Sequence, residues 1–131
     1  MTPEDRNRTS VLSLCDRHRD IEARQDELQN QLGDIESILV KHHRWFELSR
    51  VERRTLPAAQ IMYDMEDELE HLQSESAKLV INLQSTPAES THEVIAKLQV
   101  VARVILPDDY PDAHELLTGT IARLITLMPS D

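Results

Sequence analysis

Between Val11 and Phe46, the residues Val11, Leu14, His18, Ile21, Gln25, Leu28, Leu32, Ile35, Leu39, His42 and Phe46 follow one another at intervals of three and four without a break. Eight of these eleven are apolar, over five heptads. A repeat kept that long fits little besides an α-helix packed along a seam, because only a helical period returns those positions to one face. No proline falls between residues 4 and 56, and the intervening Arg, Gln, Glu and Leu are good helix formers. At ~1.5 Å per residue the stretch would run for about 54 Å.

A second run, Ala58, Met62, Met65, Leu69, Leu72, Ser76, Leu79 and Leu83, steps by four and three in the same way. Between the two lies Arg53-Arg54-Thr55-Leu56-Pro57, where Thr55 is a fitting N-cap and Pro57 suits a first helical turn. A short connection between long helices makes them antiparallel neighbours. Residues 5–84 therefore read as a helical hairpin, with one continuous helix kinked at Pro57 as the alternative. If Phe46 faces Ala58, Leu39 stands opposite Met65, Leu32 opposite Leu72 and Ile21 opposite Leu83. Ile38, Trp45 and Ile61 then fall beside the seam near the turn. The start of the first helix, with Val11, Leu14 and neighbouring Leu12, is left to be covered by the C-terminal segment or by another protomer.

Ser85-Thr86-Pro87 ends the second helix, and Ser90-Thr91-His92-Glu93 reads as a capping box. The next helix, to about Leu106, groups Val94, Ile95, Leu98, Val101, Ala102 and Ile105 on one broad face. After the loop Pro107-Asp108-Asp109-Tyr110-Pro111, a last helix over 112–128 turns Ala113, Leu117, Ile121, Leu124 and Met128 inward. Trp45 and Tyr110 read as core or turn packing rather than binding anchors. The expected architecture is all-α: a coiled-coil-like antiparallel hairpin over 5–84 and a C-terminal helical pair over 90–128, an elongated four-helix arrangement. The length of 131 residues fits a single domain. Two glycines are too few for an all-β or glycine-rich phosphate-binding fold, and one cysteine excludes a disulfide scaffold. No apolar run approaches a membrane span, and Met1-Thr2-Pro3-Glu4-Asp5 lacks signal-peptide character, so a cytoplasmic location is expected.

The segment Thr86-Pro87-Ala88-Glu89-Ser90 running into Ala96-Lys97-Leu98, followed by an acidic loop and a last amphipathic helix, resembles the C-terminal part of a set of short, uncharacterised bacterial helical proteins. In these a coiled-coil hairpin precedes the T-P-A turn. The resemblance implies the fold and a bacterial or phage origin; it carries no activity.

The net charge of −10 is concentrated in residues 57–90, which hold seven acidic side chains and one basic. That sign repels nucleic-acid phosphates and anionic membrane surfaces, so neither is an expected partner. The basic cluster Lys41, Arg44, Arg50, Arg53 and Arg54 reads as a solvated turn. Glu68–His71 and Glu89–His92 have the Glu-x-x-His spacing of di-iron bundles. However, His71 falls on the outer face and no inward Glu completes a ligand set, so neither a metal nor another cofactor is expected. No nucleophile elbow, phosphate loop or H-E-x-x-H is present, Cys15 lies beside the seam, and the chain reads as no enzyme. His18, Gln25 and His42 occupy seam positions where polar residues specify register or confer pH sensitivity.

Two functions from different classes remain. The first is a protein–protein interaction or adaptor module that self-associates or docks through Val11, Leu12 and Leu14. The second is an acidic inhibitor or nucleic-acid mimic that would present Asp64, Glu66, Asp67, Glu68, Glu70 and Glu75 to a basic groove. On the expected register, arginines such as Arg24, near Glu75, partly neutralise that face.

Overall fold

The computed structural model describes residues 10–129. Among them are five α-helices, one 3-10 turn and no strand: α1 (Val11–His42), the turn Trp45–Glu47, α2 (Arg50–Arg54), α3 (Pro57–Ser85), α4 (Thr91–Val104) and α5 (Pro111–Leu127). The all-α class expected from the heptads is what the chain adopts.

The first helix stops earlier than its apolar repeat. Arg44 takes the left-handed conformation, φ 51° and ψ 48°, which costs a non-glycine residue about 1–2 kcal/mol and cannot continue an α-helix. This break excludes a continuous helix kinked at Pro57, and the connection from His43 to Leu56 is longer than the sequence suggests. Ser49 caps α2: its Oγ accepts from the Glu52 N–H at 3.2 Å, and the Ser49 N–H donates to Glu52 Oε1 at 3.1 Å. Those bonds from Ser49 hold the Glu52 carboxyl below its usual range. Thr55, expected as an N-cap, instead ends α2 and donates its hydroxyl to the Glu52 carbonyl at 2.7 Å. Pro57 does open α3, where its missing N–H leaves no bond unmade.

The chain groups into two compact units, residues 20–77 and residues 1–19 with 78–131, so the division cuts across the hairpin rather than falling at its end. In the first unit, Leu32, Leu39, Ala59 and Met62 form a buried core against which Ile35, Trp45, Leu56, Ala58, Tyr63, Met65 and Leu69 pack. Trp45 takes the place the repeat assigns to Phe46, and Phe46 is 78% exposed. His42, the last polar seam position, is exposed for the same reason: the helix ends there. Arg24 pairs with Glu68 rather than with Glu75, Nε to Oε2 at 2.8 Å, two helical turns earlier on α3.

In the second unit, α4 and α5 pack against each other. Ser90 caps α4 by accepting from the Glu93 N–H at 3.2 Å, and Lys97 donates to the Thr86 carbonyl, tying the helix to the turn before it. Val11, Leu14, Cys15, His18, Leu79, Leu83, Ile95, Val100 and Ile121 are buried. Arg103, on α4, reaches the start of α1, donating to His18 Nδ1 at 3.4 Å and to the Cys15 carbonyl at 3.5 Å. The beginning of α1 is therefore covered by its own chain.

Candidate interaction surfaces

Val11 and Leu14 do not form the docking surface proposed for them. Both are buried, and only Leu12 beside them is about half exposed. The physical reason is the packing of α1 within its own unit, where α4 bonds across the first turns through Arg103. Of the polar seam residues, Gln25 is half-buried, His42 is exposed, and His18 is fully buried. Burial and the neighbouring Arg103 push the His18 imidazole below its ordinary pKa. Since Nδ1 accepts from Arg103, the ring proton sits on Nε2, which has no hydrogen-bond partner among the described residues. Cys15 is buried, its thiol pushed up by desolvation, which removes the thiolate a reactive cysteine requires.

The acidic run on α3 is only partly open. Asp64, Glu66, Asp67 and Glu70 are exposed, whereas Glu68 and Glu75 are half-buried. Glu68 is held by Arg24, and the Gln60 amide donates to Asp64 at 3.0 Å. Asp67 lines a cleft of ≈ 420 Å³ together with Arg50, Arg53, Arg54 and Tyr63, so the basic residues of the turn stand close to one end of the acidic face. Arg53 also stacks over Trp45, 4.5 Å from the ring centroid, and its Nε donates to the Trp45 carbonyl at 3.1 Å. His71 is exposed as expected, and among the described residues no group of three or more His, Cys, Asp or Glu is placed to hold a metal ion. No helix among the described residues is long and apolar enough to cross a membrane.

The C-terminal pair exposes more apolar surface than its sequence suggests. On α4, Ile95 and Val100 are buried while Val94 and Val101 are 43% and 44% exposed, with Leu98 and Ile105 half-buried between and beyond them. Val94, Leu98, Val101 and Ile105 are spaced four, three, four, which is a seam pattern left partly open. On α5, Ile121 is buried, Ala113 is exposed rather than inward, and Leu116 and Leu127 are 73% and 63% exposed. Tyr110, expected to pack, is also exposed. The signal for these faces lay in adjacent apolar pairs such as Val94-Ile95, Val100-Val101 and Leu116-Leu117. Neighbours on a helix point about 100° apart, so such pairs cannot both face one core.

Compared with protein-family models, with curated proteins and with solved structures, the chain matches none.

Proposed function

We propose that this protein is a non-enzymatic, cytoplasmic helical module whose work is binding other proteins. The observation that supports it is the α4 seam: Val94, Leu98, Val101 and the capping residue Ile105 follow at coiled-coil spacing, the two valines exposed and Leu98 and Ile105 half-buried, while Ile95 and Val100 fill the core. A stripe of that spacing suits an amphipathic helix of a partner, laid along α4 with its own apolar positions at intervals of three and four. Isolated exposed leucines need no explanation, but four aligned apolar side chains do. The acidic-mimic reading is the weaker one, because Glu68 is paired and Asp67 stands among arginines, which reduces the field the run can project.

The experiment is capture from nuclease-treated bacterial lysate by the tagged full chain, compared with a Val94→Glu/Val101→Glu variant and eluted with rising salt. The expected result is a protein retained through physiological salt by the parent and lost by the variant, since apolar contacts are not screened. A partner that elutes early in salt, and is lost instead by Asp64→Lys/Glu66→Lys, would establish the acidic mimic. No specific retention in either case would overturn the interaction reading.

A further inference from the structure

The outer face of α5 is arranged symmetrically about its glycine. Gly119 is exposed, and a Cβ placed on it would meet nothing within 4 Å, so a helix can approach the backbone closely there. Four residues before it stands Glu115 and four after it Arg123, both exposed and neither in an ion pair among the described residues. Together with Leu116 and Thr120 they line one open, mainly apolar groove. The Thr120 hydroxyl donates to the Leu116 carbonyl at 2.7 Å, satisfying the polar end of that side chain within its own helix.

We infer that this face binds a second copy of the chain, α5 against α5, antiparallel across a twofold axis at Gly119. The inference rests on the reading of the chain as an interaction module and names one of its partners. In that arrangement Glu115 faces Arg123 of the second copy twice over, because the two lie equally far from the axis. In the same register Leu116 stands opposite Ala122 of the second copy and beside its Thr120, both small side chains. A parallel pairing would set Glu115 against Glu115 and Arg123 against Arg123, and would align the two helix dipoles unfavourably. A twofold contact of this kind is closed, since one face serves both copies, and gives a dimer rather than a filament. The contact is one helix wide, which makes it small and the dimer concentration-dependent.

The test is sedimentation equilibrium of the full chain over a concentration series, with circular dichroism to show that each variant keeps its helices. The parent is expected to self-associate. Arg123→Glu and Glu115→Arg, each placing like charges face to face twice, should raise the dissociation constant about tenfold. The double variant Glu115→Arg/Arg123→Glu exchanges the charges and should return to within about threefold of the parent. A parent that stays monomeric throughout, or a double variant no tighter than the singles, would overturn the proposal. Either result can stand beside a lysate partner held on the α4 seam, so failure of the dimer and failure of the interaction reading are read from separate experiments.

Discussion

His18 occupies a heptad position on α1 that an apolar side chain would normally fill, and it is fully buried with one ring nitrogen bonded to Arg103 and the other without a partner among the described residues. Its pKa is lowered in the folded chain, by burial first and by the Arg103 charge second, so the folded state holds it neutral. Unfolding restores the ordinary value near 6.5, and below that pH the unfolded chain takes up a proton that the folded chain refuses. Stability from this group is therefore complete above about pH 6.5 and declines as the pH falls, by up to ~1.4 kcal/mol per pH unit. Denaturant unfolding of the parent and of His18→Leu, at about pH 8 and about pH 5.5, checks it. The variant should show a distinctly shallower loss, and equal slopes would assign the acid sensitivity to other groups. His18 and His42 both sit at seam spacing, but His18 is buried where Arg103 of α4 reaches α1, whereas His42 is exposed where α1 ends.

That ending is the main event at the level of the elements. Between Val11 and Leu39, eight of the nine seam residues are apolar or become buried, as the repeat demands. Past His42 the repeat continues in the sequence but the helix does not, since Arg44 turns left-handed and a separately capped α2 follows. Trp45 then packs toward Leu39 and Met62 while Phe46 faces outward. Shortening Leu39 to alanine removes a fully buried side chain from that core and should cost about 2–5 kcal/mol of unfolding free energy. Phe46→Ala, despite removing more atoms, should change it by less than about 0.5 kcal/mol. Chemical denaturation of the two variants decides the matter, and a larger loss at Phe46 would mean that α1 continues through residue 46. Gly33, within α1, meets open space and imposes no turn, so it does not account for the break.

Over the whole molecule, 24 acidic side chains oppose 14 basic ones, and the excess repels itself in the compact state. Added salt screens that repulsion, and it also screens the attractive pairs among the described residues, such as Arg24 with Glu68, which joins α1 to α3. The imbalance of ten charges outweighs a handful of exposed pairs, whose individual contributions are small. The melting temperature should therefore rise by roughly a few degrees between low and physiological ionic strength. A fall would show that the attractive pairs outweigh the net repulsion.

The helical class, the two long seams, the Ser90 cap and the proline that opens α3 were all legible in the residues, because each follows from periodicity and local bonding along one stretch of chain. Three things were not. The stop at Arg44 has no proline or glycine to announce it, and depends on Trp45 finding a core to enter. The cover of Val11 and Leu14 was left open between the C-terminal segment and another protomer, and the choice depends on residues more than eighty positions away, through the bonds from Arg103 to Cys15 and His18. The open faces of α4 and α5 depend on which of two adjacent apolar residues the core accepts. A helix with apolar residues on two sides states that it has two partners to find; only packing in three dimensions decides which side is filled within the chain and which is left for another.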